Sequence, residues 1–184
     1  MKYILGAIVL ILAAACTSPG YTVENITPPR KIINLGPINP VYLAVQYNGM
    51  HESTDRAELK ELLDVDPVRT EWCAAFINAV LEESGIISNN DHKYPFTARA
   101  FLDWGQGISK EDIQPGDLVV FPRGNQGWQG HVGFYLKTQE IDGVEYYYIL
   151  GGNQSNKVSI VLYRASKALG IRRQPSIKRL TIFN

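Results

Sequence analysis

TEWCAAFINAVLEESG occupies residues 70–85 and reads as one helix. Apolar side chains recur at Trp72, Ala75, Phe76, Ala79 and Val80, with a second row at Cys73, Ile77 and Leu81. Only Glu71, Asn78 and Glu82 are left as a narrow polar stripe, so such a helix packs against neighbours on most sides. Thr70 is the expected N-cap, and Gly85 is the expected residue just past the C-terminus, where a left-handed conformation ends many helices. With Thr70 as cap, Cys73 falls at the third helical position. Unpaired amides and the positive end of the helix dipole there favour a thiolate. Packing alone also accounts for a buried cysteine, so the rest of the chain has to distinguish a nucleophile from a core residue.

Upstream, Lys2, the apolar run Tyr3 to Leu12 and then Ala13-Ala14-Ala15-Cys16 have the three-part form of a secretory signal. The run is shorter than the roughly 20 residues of a spanning helix. Its ending resembles a bacterial lipobox, with Ala13 standing where leucine is preferred. That resemblance implies cleavage after residue 15 and a lipid on Cys16 that holds the protein to a membrane. Thr17, not an aspartate, follows the cysteine, which points to the periplasmic side of the outer membrane over the inner membrane. Residues 16–40, rich in Pro, Asn, Thr and Gly, read as a lipidated tether, and residues 41–184 as the domain. The chain has two cysteines, so lipidation of Cys16 leaves Cys73 without an internal disulfide partner. An unpaired thiol in an oxidising compartment calls for a reason, either catalysis or deep burial.

The 184 residues balance 18 Lys and Arg against 18 Asp and Glu, so no basic excess points to nucleic acid. A monomer is expected. Short helices are expected over Val41 to Gly49, over Asp55 to Leu63 with Asp55 as cap, and from Thr97 to Trp104 with Gly105 as the stop. His51-Glu52 begins like a zinc-protease signature, but Asp55 stands where the second histidine is needed. Three histidines and no free cysteine pair compose no zinc site of ordinary spacing, and the glycines at 124, 127 and 130 are not followed by the Lys-Ser/Thr of a phosphate loop. No metal and no cofactor are expected.

The second half reads as strands, which makes the fold class α+β. Pro115-Gly116 turns into Leu118 to Phe121, stopped by Pro122, and a loop of three glycines around Trp128 delivers His131 to Leu136. Alternation sends Val132, Phe134 and Leu136 to the core and turns His131 outward with Gly133 and Tyr135. A histidine with an ordinary pKa near 6.5 can take a thiol proton and return it to a leaving amine. Asp142-Gly143 marks a hairpin to Val144 through Leu150. A two-residue turn sets His131 opposite Gln154, and a bulge at Gly151-Gly152 would bring Asn153 there instead, so either amide could orient the imidazole. Further strands are expected at Val158 to Tyr163 and near Leu180 to Phe183.

EWCAAFINAVLEESG, PGDLVVF, GHVGFYL and LGGNQSNKVSI, in that order, resemble the motifs of a family of small cell-wall amidase-like proteins of phages and bacteria, related to the CHAP and NlpC-type peptidoglycan hydrolases. The resemblance spans roughly Val41 to Arg173. It implies a compact papain-like fold, with the cysteine at a helix N-terminus packed on an antiparallel sheet. It also implies hydrolysis of an amide bond in peptidoglycan through a thioester, with Cys73 as nucleophile, His131 as base and Asn153 as the residue that orients the imidazole. Trp128, Gly130 and Gln154 are the candidate substrate-binding residues. One departure is Glu71, where these proteins often have proline; as a first-turn residue it is expected to project away from the thiol. Two other outcomes use the same residues or none: acyl transfer to an amine or lipid, and a lipid-anchored wall-binding protein with an inert cysteine.

Overall fold

The structure, a computed structural model, describes residues 39–174. The expected signal segment, the lipidation site Cys16, nearly all of the expected tether and the expected strand near Leu180 to Phe183 lie outside the described residues. Three α-helices come first: α1 (Pro40–Ala44), α2 (Arg56–Leu63) and α3 (Cys73–Glu83). A 3-10 turn, Val45–Tyr47, extends α1, and a second, Ala98–Asp103, follows α3 where a short helix was expected. The strands are β1 (Gln106–Gly107), β2 (Leu118–Pro122), β3 (Gly130–Ile141), β4 (Val144–Gly151), β5 (Ser159–Arg164) and β6 (Gly170–Arg173). They form one antiparallel sheet in the order β1-β6-β2-β3-β4-β5, which makes the fold α+β, with Cys73 at a helix start.

Each face of the sheet carries its own core. Leu118, Val120, Val132, Phe134 and Leu150 pack against the apolar rows of α3, together with Trp72, Phe76 and Phe101. On the other face Val119, Phe121, Tyr135, Tyr147, Ile149 and Ile171 form a second apolar layer. That second layer is why His131 does not look out to solvent. It lies on the expected side of β3, but this side is covered and only 1% of the residue is exposed.

The central helix starts later than its sequence suggests. Trp72, not Thr70, is the residue before the first helical turn, without a side-chain cap, and Cys73 is the first helical residue and not the third. Trp72 is fully buried and its indole donates to Glu52 at 3.1 Å, so tertiary packing fixes the helix start where a capping hydroxyl was expected. The C-terminus follows expectation. Gly85 takes φ +71°, its amide bonds Glu82, and the Ile86 amide bonds Leu81.

The hairpin also turns as its Asp-Gly predicts, with φ of +51° at Asp142 and +73° at Gly143. Ile141 pairs with Val144, but the register shifts between Tyr135 and Lys137, so the bulge sits at Leu136 and not at Gly151-Gly152. Beyond it Phe134 pairs with Leu150, and there the described β3–β4 ladder ends while β4 runs on with β5 to Gly151. The two strands part at that point. α3 begins over the parting, and Gly152 makes room for it: a Cβ on that glycine would lie 2.5 Å from the Trp72 ring and 2.7 Å from Phe76.

Candidate active site

Cys73 is brought to the parting of β3 and β4 by α3. The backbone amides of Val132, on β3, and of Ala74, in the first turn of the helix, lie near its sulfur and favour its anion. The thiol therefore meets the strand one residue from His131. Burial is the larger influence on it, and it raises the thiol pKa in spite of those amides and the nearby Arg123 guanidinium. The helix start does not produce a resting thiolate, contrary to the expectation from sequence.

His131 is buried too, and burial first, then the Arg123 charge, holds its imidazole down to about 4. Both partners thus rest uncharged at neutral pH. The ring is fixed from two directions. Tyr163 stacks on it with ring centroids 5.3 Å apart and planes 9° from parallel, while Phe121 stacks on Tyr163 at 4.5 Å. In the ring plane, Nε2 lies 3.1 Å from Gln154 Oε1.

Gln154 settles the proton on that ring. Its amide nitrogen donates to the Gly151 and Ser159 carbonyls, which leaves its oxygen as the atom facing the imidazole. In the neutral ring Nε2 must then carry the hydrogen and Nδ1 the lone pair. Nδ1 is buried and has no partner among the described residues. A base with its acceptor atom free and its donor atom occupied is what proton removal from a thiol needs.

Asn153, which the resemblance assigned to this orienting position, does not touch the imidazole. Its φ is +56°, a left-handed turn that carries its side chain to Glu71, with Nδ2 donating to Oε2 at 2.7 Å, and delivers Gln154 to the ring instead. The sequence could not decide between neighbouring amides because the bulge at Leu136 and the left-handed turn each change the register by one, in compensating senses. Gln154 is 4% exposed and does not line the cavity, so the substrate-binding part expected of it is not open to it.

A cavity of about 360 Å³ opens beside Cys73, walled by Glu71, Phe96, Ala98, Arg123, Trp128 and Gly130 among others. Trp128 and Gly130, two of the expected substrate-binding residues, both line it. A side chain at Gly130 would be tight, since a Cβ would lie 3.1 Å from both the Phe121 carbonyl and the Arg99 side chain. Trp128 is 65% exposed and forms open wall. Glu71 projects into this wall, not away from the thiol, because the residue lies before the first helical turn and not within it. Sequence reasoning missed Arg123, Phe96 and Tyr163. Arg123 lies two residues beyond Phe121, which pairs with His131, a register that appears only once the strands are paired.

A thiol at the start of a buried helix, against a sheet strand that opens with a histidine, is the arrangement expected of a compact papain-like fold, here on an α+β domain. Residues 65–153 match the CHAP domain, one of the families that the resemblance of the motifs pointed to. No curated protein sequence matches the chain. Among solved structures it is similar to an NlpC/P60 family protein from Bacillus cereus, at 20% identity over 55% of this chain and 31% of that one, with a TM-score of 0.36. It is also similar to an NLP/P60 family protein, described as similar to lipoprotein, from Staphylococcus aureus, at 21% identity over 74% of this chain and 40% of that one, with a TM-score of 0.46. The chain thus spans less than half the length of either.

Proposed function

We propose that this protein is a cysteine amidase or endopeptidase that hydrolyses an amide bond in the peptide part of peptidoglycan. The CHAP match supports the substrate class. The observation that carries the chemistry is the His131 ring, with Nε2 held by Gln154 and Nδ1 left free one residue from the amide that meets the Cys73 sulfur. In the proposed reaction Nδ1 takes the thiol proton as the sulfur attacks the scissile carbonyl carbon. The C–S bond forms, the C–N bond breaks, and the imidazolium returns the proton to the leaving amine nitrogen. Water, deprotonated by the same nitrogen, then attacks the thioester, releases the carboxylic acid and restores the thiol. Starting from uncharged partners, charge develops only during attack, when the backbone amide of Cys73, in the unpaired first turn of α3, is the proposed donor to the oxyanion. Gln154 holds the ring in the working tautomer throughout.

The same reading includes a lipid on Cys16 and a site of action on the periplasmic side of the outer membrane, supported by the Ala-Ala-Ala-Cys ending of the signal-like segment. Cys16→Ser is expected to move the protein from the membrane to the soluble periplasmic fraction.

The deciding experiment incubates the purified protein and its Cys73→Ala variant with peptidoglycan and reads released fragments by mass spectrometry. Fragments dependent on Cys73 are expected, and their termini identify the bond. A folded wild type that releases none, yet forms a thioester with stem peptides and passes it to an added amine, is a transferase and overturns the hydrolase reading.

A further inference from the structure

The cavity wall beside the nucleophile already holds a carboxylate. Glu71 Oε2 accepts from Asn153 Nδ2 at 2.7 Å and lies 3.6 Å from Arg123 Nη1. The two donors are fixed. Asn153 is 5% exposed, and Arg123 is tied to the Asn153 carbonyl through Nη2 at 3.0 Å. The carboxylate they hold is not fixed, since the Glu71 side chain is 79% exposed. An ion pair this exposed and this long contributes little, so the guanidinium holds Glu71 weakly. A second carboxylate able to engage the guanidinium with both oxygens forms stronger, charge-assisted bonds.

We propose that Arg123 and Asn153 form a carboxylate-binding subsite for the substrate, and that Glu71 is its resident stand-in, displaced when a substrate carboxylate arrives. The inference rests on the proposed hydrolase function and narrows its substrate class to peptides that carry a free carboxylate close to the bond that is cut. Both fixed groups are donors, and Arg123 is the one cation among the residues that wall the cavity. A substrate amine would face that charge with only a mobile carboxylate to receive it. An amidated substrate offers an oxygen to Asn153 but loses the ionic attraction to Arg123. The subsite therefore distinguishes a carboxylate from its amide, a difference of one functional group in otherwise identical peptides. The remaining wall suits the rest of such a peptide, because Phe96 and Trp128 offer apolar surface 45% and 65% exposed.

The test uses the full chain carrying Cys73→Ala and two synthetic peptidoglycan stem peptides that differ only in one glutamate carboxylate, free or amidated. Calorimetric titration is expected to show the free acid bound about tenfold more tightly, the effect of one charge-assisted contact. Adding Glu71→Gln removes the competitor and is expected to raise that ratio several-fold, whereas adding Asn153→Ala and Arg123→Gln together brings it to about one. Equal affinity for the two peptides, no measurable affinity for either, or a ratio that Glu71→Gln leaves unchanged overturns the subsite. Cleavage by the wild type is read separately. Cleavage of both peptides at equal rates removes the subsite and leaves the hydrolase, while selective binding without any cleavage removes the hydrolase and leaves the subsite.

Discussion

The two faces of the sheet are built alike and used differently. The helix-covered face buries a continuous apolar core and contributes the thiol, whose position follows from where α3 can approach the sheet. The opposite face buries a thinner aromatic layer and contributes the His131 imidazole, the proposed base, whose orientation follows from Tyr163 above the ring and Gln154 at its edge. The two halves meet where β3 and β4 separate. A reaction site placed there depends on two cores at once, and damage to either reaches it by a different route.

The largest expected effect comes from closing the gap on the helix side. Gly152→Ala places a methyl group within 3 Å of Trp72 and Phe76, so the helix start must move. A displacement near 1 Å costs on the order of 100-fold in turnover, and overpacking destabilises by about 1–3 kcal/mol. Thermal unfolding and peptide hydrolysis measured together check both, and an unchanged rate would separate the thiol's position from that packing. Gly143→Ala, at a turn where a Cβ meets open space, provides the comparison for stability alone.

On the base side, acid should act first. The imidazole, held down to about 4 in the fold against about 6.5 unfolded, binds its proton more readily in the unfolded chain. Its contribution to stability is therefore complete above pH 6.5 and is lost as pH falls towards 4, by roughly 3 kcal/mol. Denaturant titrations between pH 4 and 7 should show this slope in the wild type and its loss in His131→Gln. The acid limb of the activity profile is expected well below pH 6.5 for the same reason.

Smaller effects separate the neighbouring amides and the stacked ring. Gln154→Ala frees the imidazole to rotate and to carry its proton on either nitrogen, so kcat is expected to fall by at least about tenfold. Asn153→Ala is expected to leave kcat nearer to wild type. The reverse order would restore Asn153 as the orienting residue. Tyr163→Leu keeps the bulk of a cover but loses the parallel stack, with a several-fold fall in kcat that Tyr163→Phe should recover, because the ring and not the hydroxyl makes the stack.

The helix-side half of this comparison was more legible in the sequence than the base-side half. Helical periodicity from Trp72 to Leu81 and the glycine stop at Gly85 gave α3, and Asp142-Gly143 gave the hairpin, because local chemistry determines both. The helix start shifted because Trp72 is placed by Glu52, twenty residues away, a contact no local signal reveals. Alternation placed His131 on the correct side of its strand. It could not disclose that β5 would send Tyr163 across that side. Strands β1 and β6, two and four residues long, have too little pattern to be read alone and exist through their pairing with each other and with β2. The choice between Asn153 and Gln154 turned on a bulge seventeen residues upstream of Asn153 and on one left-handed residue, each of which reverses the parity of the count.

The grip on Gln154 ties the proposed chemistry to the completion of the fold. Its amide nitrogen is held by carbonyls of Gly151 and Ser159, residues that face each other as the last described rung between β4 and β5. Until that rung closes, the side-chain amide is free to turn over and the imidazole has no assigned proton. A nascent or half-folded chain therefore carries the thiol and the imidazole without their coupling. On the proposed hydrolase function, the rung acts as a safety catch that couples thiol and imidazole only in a chain that has finished folding.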